Sequence, residues 1–368
     1  MKVLCKRDAL LSAFQLASAA VPTREVKPIL RNLKAIADHG RFTLMATDLE
    51  LGIRLDVMGI TIQDPGEAML PFQRLQAILR ESPQESDLSI EADQSACTVR
   101  GEDMEFELLS EDPAHFPDLP TFNEDKYHEL SAATLREMIR RTVFATAGEE
   151  GRYAMTGVLW ELDGDAVKLV ATDGKRLALT EGKAKALGGH TTKGQTPIVP
   201  TKAMTLLERN LQPDDQVVRV CLRPNEVLFR TELATIYSRL VEGRFPDYRQ
   251  VFPKKAAIRI PLPVAPFFAR VRQAAIMTDE DSKRVTFRFA GDLLTLLAQG
   301  ARSGKSRVQM PVTYDGKPVD INFNPAYLAD MLKVLSEEDE LALDLIDGGT
   351  PALFKSGPHY SYLVMPLT

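Results

Sequence analysis

Cysteine is scarce: Cys5, Cys97 and Cys221 are the only three in 368 residues, and no two form a CxxC pair. An odd, scattered set makes neither a disulfide frame nor a zinc site, and it suits reduced thiols inside a cell. Histidine is nearly as thin. None of His39, His115, His128, His190 and His359 has HxxxH spacing or a neighbouring cluster of ligand residues, so each is expected in a surface loop and no metal or cofactor is expected. No apolar run approaches the roughly 20 residues that cross a bilayer. Met1–Asp8 lacks the apolar core of a secretory leader, which predicts a cytoplasmic protein with no membrane partner. The Gly-x-Ser-x-Gly of serine hydrolases is absent. Gly300–Ser306 resembles a phosphate loop, but it has three residues between its glycines and strand-like flanks, so a hairpin is expected. An excess of positive charge is missing as well. The 45 Lys and Arg against 51 Asp and Glu leave a net charge of −6, which argues against a partner held by bulk attraction.

What is present is repetition. Leu169–Leu179 (LVATDGKRLAL) is an apolar run, Asp-Gly, two basic residues and a second apolar run. Asp-Gly supplies positive φ, so the stretch predicts two antiparallel strands around a tight turn. Thr43–Leu51 repeats the Ala-Thr-Asp skeleton, with Asp48 and Asp173 lying 125 residues apart. Leu294–Gln299 is a fainter third copy without the aspartate. Phe-Pro-Asp also recurs, at residues 116 and 245, 129 residues apart. Repetition at a fixed period sets the architecture before any local motif does.

Each repeat is expected to hold two helix-plus-strands halves. In the first, apolar spacing marks a helix through Leu10 and Phe14 and another through Phe72, Leu75 and Leu79, with strands at 29–37, 41–46, 49–57, 68–71, 88–91, 96–100 and 104–109. In the second, helices run through Leu135 and Ile139 and through Met204 and Leu207, with a Gly/Lys-rich loop from Gly182 to Gln195. The third places helices through Phe267 and Val271 and through Leu328 and Met331. A lone helix on a small sheet leaves an apolar face and two edges bare, so the halves are expected to pair. The fold class is α+β, in three domains at 1–124, 125–253 and 254–368.

Catalytic chemistry has little support. Asp48 and Asp173 recur at one turn, which favours a structural role over a carboxylate pair. Two alternatives stay open: an enzyme built on Asp173, Lys175 and Arg176, or a scaffold that binds only proteins. The predicted helices are basic against an acidic remainder: Arg74 and Arg80; Arg136, Arg140 and Arg141; Lys202 and Arg209; Arg270 and Arg272. A common basic lining would neutralise phosphates without reading sequence.

The threefold repeat, Ala171–Leu177 (ATDGKRL), Leu240–Tyr248 (LVEGRFPDY) and the tail Tyr362–Leu367 (YLVMPL) together resemble the bacterial DNA polymerase III beta subunits, the sliding clamps, over the whole chain. The resemblance implies a non-catalytic, head-to-tail homodimer. Its six domains close a ring around duplex DNA and hold the replicative polymerase to its template, in the cytoplasm at the nucleoid. It implies a groove for short peptides of the polymerase, clamp loader, translesion polymerases and mismatch-repair proteins, here formed by Met155, Thr172, Gly174, Lys175, Arg176, Leu177, Pro246, Val251, Leu363, Val364, Met365, Pro366 and Leu367. Implied DNA-facing residues are Arg24, Arg74, Arg80, Arg136, Arg140, Arg141, Tyr153 and Lys202.

Departures from the family pattern are Lys175 in place of histidine, Tyr153-Ala154 in place of two tyrosines, and a tail one residue short that ends at Thr368. The implied dimer edges also carry swapped signs: Glu102, Asp103 and Glu105 on one, Arg302, Lys305 and Arg307 on the other. Arg74, Ile78, Phe106, Leu108, Ile276 and Met277 complete the implied interface.

Overall fold

A computed structural model describes residues 1–23, 27–148, 153–211, 217–253, 258–279, 283–300 and 303–367. It places six α-helices among them: α1 (Arg7–Ala17), α2 (Phe72–Glu81), α3 (Ala132–Val143), α4 (Thr201–Asn210), α5 (Val264–Ala275) and α6 (Pro325–Leu332). All the strand pairings are antiparallel, as expected for strands joined by short hairpins. The chain packs as two units that cut across the three repeats. Unit 1 comprises residues 1–133, 184–191 and 202–240; unit 2 comprises 134–183, 192–201 and 241–368.

Unit 1 holds a five-stranded sheet ordered Ile60–Asp64, Lys2–Lys6, Asp87–Ala92, Ala96–Arg100, Glu105–Leu109. Its nine-stranded sheet joins strands of the first and second repeats where Leu51–Asp56 pairs with Ala234–Arg239. α1 and α2 pack through Phe14 and Phe72, whose rings stack with centroids 5.7 Å apart. Arg41–Thr47 is buried on both faces after its first residue, so helices cover one side and the connector around Phe116 the other.

Unit 2 follows the same plan. Its eight-stranded sheet crosses from the second repeat to the third where Arg176–Lys183 pairs with Tyr360–Val364. A four-stranded sheet is ordered Gly304–Pro311, Leu293–Gly300, Val285–Ala290, Val319–Phe323. Phe267 of α5 packs on Phe287 and Phe354, and Phe323 joins them, giving an aromatic core.

Several expectations need correction. Pro28–Arg31 is a 3-10 turn, because proline at its first position presets a helical φ, and the strand begins only at Leu33. The Gly182–Gln195 segment contains a strand, Lys185–Leu187, paired with Tyr127–Glu129. His128 and His190 are buried, not surface loop residues: their Nδ1 atoms lie 2.7 Å apart, and the Leu222 amide donates to His190 Nε2. Ile60–Asp64 and Ile258–Pro263 are strands without an obvious signal, the first polar, the second an edge strand that tolerates Pro261 and Pro263. The three cysteines are unpaired and buried. Burial pushes the Cys5 and Cys97 thiols up to about 12 and Cys221 to about 11, so none is poised as a nucleophile.

Candidate functional site

The repeated Ala-Thr-Asp sequence folds into the same turn twice. In unit 1, Thr47 Oγ1 donates to Leu51 O and accepts from Leu49 N, while Asp48 Oδ1 accepts from Glu50 N and Leu51 N. In unit 2, Thr172 Oγ1 donates to Arg176 O and accepts from Gly174 N, while Asp173 Oδ1 accepts from Lys175 N and Arg176 N. Each turn has four residues between paired strand ends, Thr47 with Gly52 and Thr172 with Leu177. Only its second residue takes positive φ, +79° at Leu49 and +88° at Gly174. The expected tight turn is therefore longer, and the threonine and aspartate side chains, not two glycine-like residues, hold it.

Around the unit 2 turn the predicted groove residues come together. Leu177 and Leu363 are paired across the strands, and both join a buried cluster with Leu159, Val170, Ile198, Phe245, Tyr248 and Leu353. The tail is tied on by Met365 N donating to Lys175 O at 2.9 Å and Leu367 N to Asn322 O at 2.8 Å. Met155 Sδ lies 3.9 Å from where a Cβ on Gly174 would stand, an ordinary contact distance, so it is the positive φ that calls for glycine here. Thr172 and Val364 are buried, Pro246, Pro366 and Leu367 half-buried, and Gly174 and Lys175 exposed. Val251 and Met365 are 43% and 42% exposed, leaving an apolar rim over a filled floor. The connector supplies the wall: the Tyr248 hydroxyl donates to Glu161, and Arg249 lies over the Tyr248 ring.

Arg176 is committed elsewhere. Its side chain is 10% exposed and donates to Asp173, Asp330 and Phe144 O at 2.8–3.0 Å, with its guanidinium 4.6 Å from the Tyr327 ring centroid. It locks the groove's floor instead of offering a donor to a ligand. Asp173 is likewise held by two amides and by Arg176, the structural role that its recurrence suggested.

Of the predicted interface residues, Glu105, Phe106, Leu108, Lys305 and Arg307 sit on two open sheet edges, Glu102 and Asp103 in the bend before the first, Arg74 and Ile78 on α2, and Ile276 and Met277 just after α5. Glu105–Leu109 ends the five-stranded sheet of unit 1, and Gly304–Pro311 ends the four-stranded sheet of unit 2. Phe106 and Ile276 are 41% and 71% exposed, Glu102, Asp103, Glu105, Arg74, Lys305 and Arg307 are exposed, and Ile78 and Met277 are intermediate. Leu108 is already buried within its own unit. Arg302 lies outside the described residues. Gly300 pairs with Gly304, so the loop resembling a phosphate binder joins two strands and has no helix behind it.

The predicted DNA-facing residues divide. Arg74, Arg80 and Arg140 are exposed. Arg136 is half-buried, with Nε unpartnered. Arg141 is engaged with Asp339 at 3.0 Å and Glu137 at 2.9 Å, and Lys202 with Asp48. Arg24 and the Tyr153 side chain fall outside the described residues. Over their full spans the six helices carry ten cationic and five acidic side chains, so the basic excess is real but smaller than apolar spacing alone delimited.

Residues 1–131, 129–247 and 249–368 match the N-terminal, central and C-terminal domains of the DNA polymerase III beta subunit. Similar relatives include the beta sliding clamps of Pseudomonas putida, 30% identical over all of both chains, and Synechococcus elongatus, 29% identical over all of this chain and 99% of the relative. Among solved structures, a DnaN sliding clamp from Pseudomonas aeruginosa bound to griselimycin aligns with a TM-score of 0.91 at 28% identity. That alignment covers all of this chain and 99% of that one.

Proposed function

Because the chain belongs along its whole length to the DNA polymerase III beta subunit family, and is a DNA sliding clamp and not an enzyme, we propose that two copies join head to tail into a ring closed around duplex DNA. Each copy would contribute three clamp domains, bounded near residues 124 and 253. Grip comes from encirclement: a threaded ring is held by topology, escapes the steep salt dependence of phosphate binding, and slides because its contacts are weak. That resolves the conflict between DNA as partner and a net charge of −6. Arg74, Arg80, Arg136 and Arg140, with Arg24 and Tyr153, would meet the phosphates regardless of sequence.

The observation that carries the ring is the complementarity of the two open edges. Alternation along a strand puts Glu105 and Glu107 on one face of the acidic edge and Phe106 and Leu108 on the other. On the basic edge it puts Lys305 and Arg307 on one face and Ser306, Val308 and Met310 on the other. Docked edge to edge, acid meets base on one face while Phe106, Ile78, Ile276 and Met277 cover each other on the second. Each cross-strand ion pair adds about 0.2–1 kcal/mol, so the charges set partner and register while apolar burial supplies most of the affinity. Lys305→Glu with Arg307→Glu tests this by native mass at low salt: the expected result is a monomer where the parent is a dimer, restored by Glu105→Lys with Glu107→Lys. An unchanged dimer of the charge-reversed variant would falsify the edge pairing. The parent should also be retained on nicked circular DNA and lost from linear DNA.

The groove beside the second turn supports docking of short peptides from the replicative polymerase, clamp loader, translesion polymerases and mismatch-repair proteins. An apolar anchor buried against Met155, Leu177 and Met365 gains roughly 1.5–3 kcal/mol. Ordering the peptide costs a few kcal/mol, so binding is micromolar and exchangeable. Methionines on both sides repack around different guests. As a replication factor the protein would work in the cytoplasm, at the nucleoid.

A further inference from the structure

Unit 1 contains a counterpart of the groove in which the chemistry has been changed. Met45 stands where unit 2 has Val170, Gly52 where it has Leu177, and Arg54 where it has Leu179, as the shared 125-residue offset and the strand pairings require. The apolar end is closed: Leu119 of the connector lies on Gly52, its Cδ2 only 2.9 Å from where a Cβ would be. Next to that plug the sheet opens into a cleft of about 520 Å³, lined by Arg54, Arg230, Arg41, Asp56, Phe122 and Asn123 among others. Arg54 pairs with Thr235 and Met45 in the ladder, so these side chains share the face under the connector, while Phe42, Leu44 and Ala46 point to the opposite, buried face.

Arg54 is half-buried, yet its side chain has no hydrogen bond, ion pair or ring contact with any described residue. Arg230 donates to Thr235 Oγ1 and to Glu232 O, so no carboxylate neutralises it among the described residues. Asp56 is turned toward Thr43, which donates to it at 2.8 Å, and Arg41 Nε is 3.9 Å away. His39 and Asp38 pair with each other at the rim, 3.4 Å apart. The floor thus holds two guanidinium groups on strands one apart from each other, about 10 Å between backbones by the usual strand spacing. Like charges held this way without a partner are unfavourable unless an anion arrives.

We propose that this cleft binds a carboxylate-rich, extended peptide segment of a protein partner. A peptide fits better than a lone oxyanion because the guanidinium groups are spread across strands. An extended chain carries alternate side chains nearly 7 Å apart, which lets two carboxylates address Arg54 and Arg230 separately. Phe122 and the flanking Thr121 and Asn123 offer a ring and polar groups to its backbone. The site goes beyond the apolar groove of unit 2 and does not depend on it.

The test titrates the full-length protein with fluorescein-labelled hexaglutamate at low salt, read by anisotropy. Expected are saturation at one peptide per chain, a loss of about tenfold or more in affinity for Arg54→Ala, as for a charged hydrogen bond, and partial retention for Arg54→Lys. Arg288→Ala, which removes an exposed cation paired with Asp320 in unit 2, should change nothing. A thermal melt of Arg54→Ala matching the parent separates loss of binding from loss of fold. Undiminished binding by a folded Arg54→Ala overturns the proposal. So does displacement of the peptide by inorganic phosphate at matched ionic strength, which would make the cleft a small-oxyanion site, or displacement by a DNA duplex.

Discussion

The two Thr-Asp turns share the four hydrogen bonds that their threonine and aspartate side chains make to the backbone but differ in what surrounds them. In unit 2 the turn is welded into its surroundings by Arg176, and the adjoining position is Leu177, a floor residue under an open apolar rim. In unit 1 the corresponding anchor is Lys202, an exposed ammonium on Asp48, and the adjoining position is Gly52, vacant of side chain and roofed by Leu119. The connector makes the matching exchange. Phe-Pro-Asp is followed by Leu119 in one and Tyr248 in the other, and Tyr248 packs beside the Leu177 floor, its hydroxyl donating to Glu161 and its ring edge-on to Phe252. One repeated turn thus sits beside a Gly52 covered by Leu119 in one unit and beside a leucine floor under an exposed apolar rim in the other.

The largest effect separating the turns should come from their anchors. Arg176→Ala removes the guanidinium shared by Asp173, Asp330 and the Phe144 carbonyl, a loss near the low end of the range for breaking a buried pair because Asp173 keeps its two amides and Asp330 keeps Lys333. The expected cost is about 3 kcal/mol. Lys202→Ala, at the exposed twin, should cost about 1 kcal/mol or less. Urea midpoints of the two variants measure the gap, and equal losses would mean that the turns are energetically alike.

The floor swap ranks next. Gly52→Leu drives a side chain into Leu119 and should destabilise by roughly 1–3 kcal/mol, as overpacking does. Leu119→Ala in the same chain should recover most of that loss. With a leucine floor and the plug removed, the double variant should also gain in unit 1 a second, weak site for the peptides proposed to dock in unit 2, seen as a rise in stoichiometry by calorimetry. Failure of Leu119→Ala to compensate would show that the two positions are not coupled.

How much of this was legible in the sequence follows from the range of each signal. The repeated Ala-Thr-Asp, the doubled Phe-Pro-Asp and the apolar spacing of the helices are local, and they delimit elements well. Gly174 announces its φ; Leu49 does not, because its conformation is imposed by the Thr47 and Asp48 side chains. The groove residues gather because strand 176–183 meets strand 360–364, a pairing that the residue types on either strand do not specify. Arg141 shows the limit most clearly. Helical spacing marks it as one more solvent-facing cation, but Asp339, 198 residues away, takes it, and only the fold brings the two together. Burial of His128 and His190 has the same origin, since each satisfies the other.

The smallest expected effect probes the backbone at the shared turn. A non-glycine residue in the left-handed region costs about 1–2 kcal/mol, and glycine relieves that strain while giving back about 0.5–1 kcal/mol in unfolded-state freedom. Leu49 is 37% exposed, so the packing lost with its side chain trims that gain. Leu49→Gly should therefore stabilise the protein slightly, by up to about 1 kcal/mol. Gly174→Leu should destabilise it, by the strain of a side chain at φ +88°. Opposite signs at equivalent positions, read from thermal midpoints, are what a common turn with one native glycine demands. If both substitutions destabilise, Leu49 contributes a contact that unit 2 has no counterpart for, and the symmetry of the two turns ends at their hydrogen bonds.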